Sequence, residues 1–350
     1  MGNCVIPVPG GRGVGGSTLI NSAICFRTPD SILQQWVDEY GCSRLNISDM
    51  APKLDRVWQT LGVTVNAVAF QRNNNLIFKA GADALGLSGS WLPRSAPGCI
   101  GCGVCQMGCP TGGKLSADRS FFPIALRTGH VRIHANCRVR GVETAAGKVV
   151  AVHGDLVDPQ TLKTDGKFSA KGKAFVSCAG PIGTPRFLLS TGLADDRVVG
   201  QSLFIHPTSG QMARFEQEIR PWHGVTQGYC VDRWDEGYLL QVYSVTPDQM
   251  FVGMPFSLGK ERLEAVRDMK HMALAGPLVH DEDSMGKVTL QGLVYFMGDG
   301  DRKRLLAGIR DTCRVFFAAG AKEIYTGIVG SRPIRNVKDI DDAIPDSVPA

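Results

Sequence analysis

The segment GGRGVGGSTLIN, residues 10–21, contains the pattern G-x-G-x-x-G that marks many dinucleotide-binding turns. That fingerprint requires a buried strand directly before the glycines, and Pro7 and Pro9 remove backbone donors from the only candidate strand. It also requires an acidic residue about 20 positions later at the end of a second strand, whereas Asp38 falls within a helical pattern. The segment therefore predicts a glycine loop whose free N–H groups can face an anion, and not a first Rossmann turn.

Helical patterns follow the glycine loop. Thr28 and Pro29 open the apolar stripe of DSILQQWVDEY as N-cap and first-turn proline, and Gly41 is placed to end that helix. Two further helices are predicted over residues 49–61 and 76–85. This part of the chain is therefore expected to be mainly helical.

The pattern changes to strands at Val131, with the runs VRIHANCRVRGVE, VVAVHGDLV and KAFVSCAG. The last run leads through AGPIGTP into the predicted helix RFLLSTGL, an order that suits a mononucleotide crevice. From about Val199 the chain alternates strands, such as YLLQVYSV and KVTLQGLVYF, with a helix over residues 303–319. This second half predicts an α+β domain with a mostly antiparallel sheet.

Composition sets broad limits on function. The chain has 350 residues, of which 43% are hydrophobic and 20% charged, as in globular proteins. The net charge of +5 is spread along the chain, so no nucleic-acid partner is expected. No run approaches the roughly 18 apolar residues of a membrane-spanning helix, and the start lacks a signal peptide. The chain has eleven cysteines, an odd number, and the seven outside residues 98–114 are scattered, which favours a reducing compartment. A cytoplasmic location is expected, with peripheral membrane association left open.

A second glycine-rich segment, GCIGCGVCQMGCPTGGK, covers residues 98–114 and carries cysteines with the spacing of bacterial ferredoxins. The spacing predicts an iron–sulfur cluster as one option, although no second cysteine run accompanies it. A zinc site is another option, and a tight loop packed by small cysteines, with or without a disulfide, is a third. Lys114 and Ser116 can either close this loop on a phosphate or lie in solvent. The candidate metal ligands are Cys99, Cys102, Cys105 and Cys109.

The order of these motifs resembles the glucose–methanol–choline (GMC) family of flavoprotein oxidoreductases. The glycine loop with CFRTP after it, the cysteine segment, SCAGPIGTPRFLL at residues 177–189 and VGQSLFIHP at residues 199–207 all follow the family order. The most similar members are the long-chain fatty alcohol oxidases and cholesterol-oxidase-like proteins, in which a comparable cysteine-rich segment occurs. The resemblance extends from Gly10 to about Ser331.

The resemblance implies that the chain binds FAD. It places the glycine loop at the diphosphate and ribityl region, with the last residue of that loop near the flavin ring. It places Val139, in the motif CRV, beside the adenine. It places Ala179 and Gly180, in the motif SCAG, along the adenosine. The residues assigned in this way are Arg12, Gly13, Gly15, Gly16, Ser17, Asn21, Val139, Ala179 and Gly180.

The resemblance also implies a fold of the class α/β plus α+β. Residues 1–197 are expected to form a partial, Rossmann-like FAD-binding domain with a helical and cysteine-rich insertion at about 28–125. Residues 198–350 are expected to form a substrate-binding domain built on an antiparallel sheet and incomplete at its C-terminal end.

The implied activity is oxidation of an alcohol to an aldehyde or ketone by hydride transfer to the flavin. A hydrophobic alcohol or a sterol is the favoured substrate, and the electron acceptor is unknown. The family's first βαβ unit and its terminal histidine-bearing segment are not found, so the chain is expected to be an inactive fragment, and no catalytic residue is assigned. Two alternatives stay open: an iron–sulfur electron-transfer protein using Cys99–Cys109, and a non-catalytic protein that binds lipid alcohols.

Overall fold

The computed structural model describes residues 8–254, 259–328 and 330–346. The helices are α1 Asp30–Tyr40, α2 Ile47–Thr60, α3 Arg72–Ala84, α4 Phe121–Arg127, α5 Gly180–Ser190, α6 Pro247–Gly253, α7 Lys260–Asp268, α8 Asp299–Ala318 and α9 Ile340–Ala343. The strands are β1 Thr64–Val65, β2 Gly89–Trp91, β3 Pro93–Arg94, β4 Cys137–Ala145, β5 Lys148–Val157, β6 Thr164–Lys171, β7 Gln211–Arg214, β8 Tyr229–Arg233, β9 Tyr238–Val242, β10 Met272–Val279, β11 Met285–Val288, β12 Leu293–Phe296 and β13 Glu323–Tyr325.

An antiparallel sheet with the strand order β13-β7-β10-β9-β8-β2 organises the second half of the chain. Side chains alternate between the two faces of a strand, and β10 shows how this divides the core. Ala273 and Ala275 enter one hydrophobic cluster, whereas Met272 and Leu274 enter another. All neighbouring strands of this sheet pair in antiparallel fashion, so the prediction of a mostly antiparallel sheet is confirmed.

Helices α3 and α8 cover one face of this sheet. Phe78 of α3 and Phe316 of α8 are fully buried and meet edge to face, with ring centroids 5.3 Å apart. The two helices approach closely at Gly81, where an added Cβ would lie 2.1 Å from the carbonyl oxygen of Val315. The absence of a side chain at this position therefore allows the helices to pack.

The sheet draws on both halves of the chain. Strand β2 pairs with β8, with Gly89 opposite Val231, and α3 also precedes residue 100. These elements lie within the predicted helical insertion at about 28–125, yet they pack with the sheet of the second half. The division into domains at residues 197 and 198 remains a prediction.

The predicted helices are confirmed, with shifts at their starts. Helix α1 ends at Gly41, whose φ of 65° is left-handed, although Pro29 occupies the N-cap position and not the first turn. Helix α2 begins at Ile47 because the side chain of Asn46 caps it by accepting the N–H of Asp49. Helices α3 and α8 both begin four residues before their predicted starts, and α5 begins at Gly180.

Two strand predictions are wrong. The run KAFVSCAG, residues 173–180, forms no strand, and Thr164–Lys171 forms β6 in its place. Residues 164–171 follow β5 after a short turn and can pair with it locally, whereas no described strand pairs with residues 173–179. The run KVTLQGLVYF forms the hairpin β11–β12, because Thr289 and Gly292 close a turn with an N···O distance of 2.9 Å.

Strands β4, β5 and β6 form a separate three-stranded antiparallel sheet. The first predicted strand is shorter than expected, since β4 begins at Cys137 and residues 131–136 lie outside it. Within the described ranges, no helix has both the length and the apolar character needed to cross a membrane.

Candidate functional site

The glycine loop, residues 10–21, is a compact turn that continues into a short 3-10 helix, Gly16–Leu19. No strand precedes it from Val8 to Arg12, in agreement with the prediction from the prolines, while Pro7 lies outside the described residues. The hydroxyl of Thr18 donates to the carbonyl oxygen of Gly15 at 2.6 Å and fixes the turn.

The backbone of this loop requires glycine, but not all of its N–H groups are free as the sequence predicted, because that of Gly11 donates to Oγ of Ser17 and that of Gly16 donates to the carbonyl oxygen of Gly13, both at 3.0 Å. A Cβ on Gly11 would lie 2.7 Å from the carbonyl oxygen of Gly16, and the φ of 116° at Gly15 is rarely adopted by other residues. Arg12 and Gly13 are exposed on the loop, so the guanidinium group of Arg12 and the peptide group of Gly13 are both accessible to a ligand. Such a surface can accept the anionic part of a dinucleotide.

Lys114 fastens the glycine loop to the cysteine segment. Its side chain is only 2% exposed, and Nζ donates to the carbonyl oxygens of Leu19 and Asn21, both at 2.8 Å, and of Cys105 at 3.2 Å. Burial lowers the pKa of Lys114, and the nearby thiols of Cys105 and Cys109 oppose this effect. The amine is therefore a buried structural tie and is not solvated.

Arg94 provides a second buried tie, which the sequence analysis missed. The side chain is fully buried, and its guanidinium donates to the carbonyl oxygen of Ser22 at 2.9 and 2.7 Å. It also donates to Oδ1 of Asn66 at 3.0 Å and to Sγ of Cys105 at 3.2 Å. An isolated arginine in a turn-rich segment carries no pattern that distinguishes it from an exposed one.

The four cysteines of the ferredoxin-like spacing do converge in space. All four line one small cavity of about 10 Å³, beside Lys114 and Gly224. A cavity of about this size holds roughly one water molecule, much less than a cluster of iron and sulfide ions. The described residues contain no group of three or more His, Cys, Asp or Glu side chains placed to hold a metal ion.

The cysteine sulfurs act as hydrogen-bond acceptors instead. The N–H of Gly101 donates to Sγ of Cys99 at 3.4 Å, and the N–H of Lys114 donates to Sγ of Cys109 at 3.3 Å. Burial raises the pKa of Cys109, but hydrogen bonds from Lys114 and Thr111 outweigh it and leave that pKa below its ordinary value. All four thiols are free. The structure thus gives no support to the iron–sulfur or zinc expectation or to a disulfide, and it agrees with cysteines that pack a tight loop.

The cysteine segment also contacts the second half of the chain. Gly103 has a φ of 78°, and a Cβ on it would lie 1.9 Å from the carbonyl oxygen of Trp222. The N–H of Gly224 donates to the carbonyl oxygen of Gly101 at 2.8 Å. The segment therefore bridges the glycine loop and residues 222–224.

The remaining predicted cofactor residues lie on other elements. Val139 is an exposed residue of β4, Ala179 is exposed just before α5, and Gly180 begins α5 with a φ of 77°. In the described part of the chain, no hydrogen bond joins these three residues to the glycine loop. The structure thus unites the glycine loop with the cysteine segment, and a shared site with the adenosine residues remains a prediction.

The face of the large sheet opposite α3 and α8 carries a group of methionines, which we call the methionine face. Its buried members come from β7, β10, α6 and the residue after α6, and are Met212, Met250, Met254 and Met272. A cavity of about 760 Å³ opens beside it, lined by Met272 and Ala265 and by the ion pair of Arg214 with Glu323. The cavity therefore has apolar and charged walls.

Comparison of the sequence with known proteins identifies the family. Residues 2–208 match the family model described as GMC oxidoreductase. An uncharacterized GMC-type oxidoreductase of Mycobacterium tuberculosis (strain ATCC 25618 / H37Rv) is 31% identical over 98% of this chain and 54% of its own length. The long-chain-alcohol oxidases FAO3 and FAO4B of Arabidopsis thaliana are 25% and 28% identical over 90% of this chain and 44% of theirs.

The chain spans about half the length of the curated relatives it matches. The matched N-terminal domain is the Rossmann-like, FAD-binding part of these enzymes, and it implies FAD binding here. The mixed helical and antiparallel-sheet architecture agrees with the fold class expected from the sequence. The chain therefore belongs to the GMC oxidoreductase family.

Proposed function

We propose that this protein takes part in the oxidation of a hydrophobic alcohol, either a long-chain primary alcohol or a sterol, to the aldehyde or ketone. The observation that carries the proposal is the glycine loop, which requires glycine at positions 11 and 15, is accessible to solvent and is held in place by hydrogen bonds from Lys114. FAD, when bound, would accept hydride from the carbinol carbon. The chain's own residues would bind and orient the reactants.

The proposed FAD residues have distinct roles. The guanidinium group of Arg12 and the peptide groups around Gly13 would bind the diphosphate. A hydrogen bond that involves a charged group is stronger than one between neutral groups. Lys114 would not touch the cofactor but would hold the loop that does, because its Nζ occupies the carbonyl oxygens of Leu19 and Asn21. The proposed contact residues are Arg12, Gly13, Gly15, Gly16, Ser17, Asn21, Val139, Ala179 and Gly180.

One structural feature and the names of two relatives support an apolar substrate. Methionine side chains are flexible and polarizable, and Met272 of the methionine face lines the adjoining cavity, where it would contact a long alkyl chain or a sterol ring system. The adjoining cavity of about 760 Å³ is in the range of small-molecule sites, but six of its lining residues are charged, so it supports a small-molecule substrate and not its apolar character. Relatives named long-chain-alcohol oxidases cover most of this chain.

The test is reduction of the flavin by candidate alcohols. FAD-loaded protein is mixed anaerobically with dodecan-1-ol, cholesterol or glucose, and the flavin absorbance is followed. We expect bleaching with one of the hydrophobic alcohols and none with glucose, whereas no bleaching with any of the three would agree with the expectation from the sequence that the chain is an inactive fragment. Bleaching by glucose alone would overturn the substrate class, and tight binding of dodecanol without bleaching by any alcohol would favour a non-catalytic binding protein.

A variant of Lys114 tests whether its hydrogen bonds to the glycine loop support FAD binding. Lys114→Met removes three donated hydrogen bonds, so we expect FAD to bind about tenfold more weakly or worse, as a loss of roughly 1.4 kcal/mol requires. Lys53→Met, which removes an exposed lysine of α2, is the matched control. The affinity is measured by quenching of flavin fluorescence, and equal affinities for both variants would rule out this role for Lys114.

A further inference from the structure

A second cleft, of about 550 Å³, lies where the cysteine segment meets the second half of the chain. It is lined by Arg72, Asn73, Arg220 and His223, with Cys102 on one wall, and none of its lining residues is acidic. We call it the basic cleft. We propose that the basic cleft binds a small anionic ligand through a phosphate or carboxylate group.

The charges around the cleft are not balanced. Arg220 forms an ion pair with Glu218, with Nε 3.0 Å from Oε2, and Lys270 forms a second ion pair with the same carboxylate. One negative charge is thus shared by two cations. Arg72 is exposed and makes no ion pair within the described residues. The cleft therefore has an excess of positive charge that a bound anion can neutralise.

The start of helix α3 adds to this potential. The helix has 13 residues and begins at Arg72, its N-cap residue Gln71 makes no side-chain cap, and no acidic residue lies in its first turn. The N-terminus of a helix carries a partial positive charge and unpaired N–H groups, both of which favour anions. The two arginine side chains and this helix end therefore act on the same cleft.

The walls of the cleft are held by hydrogen bonds of neighbouring segments. The N–H of Val225 donates to the carbonyl oxygen of Phe70 at 2.9 Å, and the N–H of His223 donates to that of Arg220 at 2.9 Å. Gly224 lies against α3 so closely that an added Cβ would be 2.7 Å from Cβ of Arg72. The cleft is therefore formed without the ligand.

The arginines that line the cleft also have uncommon backbone conformations. Arg72 and Arg220 have φ values of 60° and 51°, in the left-handed region that residues with a Cβ rarely adopt. Such conformations persist only where surrounding contacts impose them, and they are often found at ligand sites. The planar guanidinium group of arginine matches carboxylate and phosphate oxygens in pairs, which favours these two ligand groups over a halide.

The test uses inorganic phosphate and succinate as probes, at constant ionic strength against chloride. Isothermal titration should show saturable binding of at least one probe, and the arm that responds identifies the preferred group. Arg72→Gln and Arg220→Gln should each weaken that binding by about tenfold, the factor that corresponds to loss of one charge-assisted hydrogen bond. Arg127→Gln, which removes an exposed arginine of α4, should leave it unchanged.

Chemical protection gives an independent readout. Because Cys102 lines the cleft, the bound anion should slow alkylation of Cys102 by iodoacetamide, whereas alkylation of the exposed Cys178 should proceed at an unchanged rate. Peptide mass spectrometry measures both rates. The proposal is overturned if neither phosphate nor succinate binds, or if neither of them protects Cys102. It is also overturned if Arg127→Gln weakens binding as much as Arg72→Gln and Arg220→Gln do.

Discussion

Individual residues determine how the candidate cofactor loop is held. Arg94 and Lys114 are buried cations that bind carbonyl, amide and sulfur acceptors of three separate segments. Because the carbonyl of Ser22 and the amide of Asn66 are buried with Arg94, and the carbonyl of Cys105 is buried with Lys114, removal of either cation leaves a buried polar group without a partner, which costs more than the hydrogen bond itself contributes. The glycine loop is therefore positioned by side chains that lie outside it.

We expect Arg94→Met to lower the free energy of unfolding by about 2–4 kcal/mol, because the carbonyl of Ser22 and the amide of Asn66 lose their donor. Arg94→Lys should recover only part of this loss, since a single amine cannot reproduce the planar fork. Urea denaturation measures both. Arg44→Met, at an exposed arginine, serves as the control, and equal losses for Arg94→Met and Arg44→Met would contradict the assigned role.

Two glycines in the cysteine segment allow the cost of backbone strain to be measured separately from the cost of a steric clash. Gly103 and Gly108 both have left-handed φ values, but only Gly103 has a close neighbour, the carbonyl oxygen of Trp222. We expect Gly108→Ala to cost about 1–3 kcal/mol of stability through strain alone and Gly103→Ala to cost more, because its Cβ would also overlap a backbone oxygen. Thermal denaturation of the two variants provides the measurement, and similar losses would show that the contact with residue 222 is not important.

Secondary-structure elements can be stabilised by a single shared carboxylate, as in the sheet β4–β6. Asp155 of β5 accepts hydrogen bonds from Lys167 of β6 at 2.5 Å and from Arg140 of β4 at 2.9 Å. These hydrogen bonds, that of Lys167 first, lower the pKa of Asp155 below its usual range. A carboxyl group whose pKa is lower in the folded state stabilises the fold when it is ionised.

The stabilisation by Asp155 should therefore be present above the ordinary carboxyl pKa of about 4 and be lost as the pH falls through the lower, folded value. We expect Asp155→Asn to be less stable than the wild type at neutral pH, with the difference shrinking toward pH 2. Chemical denaturation across this range measures the difference. Asp165→Asn, at an exposed position of β6, is the control, and a gap for Asp155→Asn that does not change with pH would refute the linkage.

At the scale of the whole molecule, one hydrophobic core joins segments that are distant in the sequence. Ile77 and Phe78 of α3 share a buried cluster with Leu240 of β9 and Phe316 of α8. Strand β2 extends the same sheet from the first hundred residues. Helix α3 and the sheet that follows the cysteine segment should therefore unfold together.

We expect Phe78→Ala to cost about 3–5 kcal/mol, because it removes a fully buried ring from the contact between α3 and α8. Phe121→Ala, at an exposed phenylalanine of α4, should cost less than about 1 kcal/mol. Urea denaturation followed by tryptophan fluorescence compares the two. If Phe78→Ala cost no more than Phe121→Ala, this core would not join the two halves.

The sequence by itself determined the features that depend on neighbouring residues. The apolar stripe of α1 and its end at Gly41 follow from helical periodicity and from the conformational freedom of glycine. The prolines before the glycine loop correctly excluded a strand between Val8 and Arg12. The ordered motifs were also sufficient to identify the family, because each depends on local spacing.

The tertiary structure alone decided which segments pair and which polar groups are buried. Residues 173–180 have a strand-like composition but no described partner, whereas Thr164–Lys171 pairs with β5. Cysteine spacing left an iron–sulfur cluster, a zinc site and a tightly packed loop open, and the space between the four sulfurs is set by Arg94, Lys114 and the close approach of residues 222–224. Pairing and burial depend on contacts between distant residues, so no local pattern in the chain can specify them.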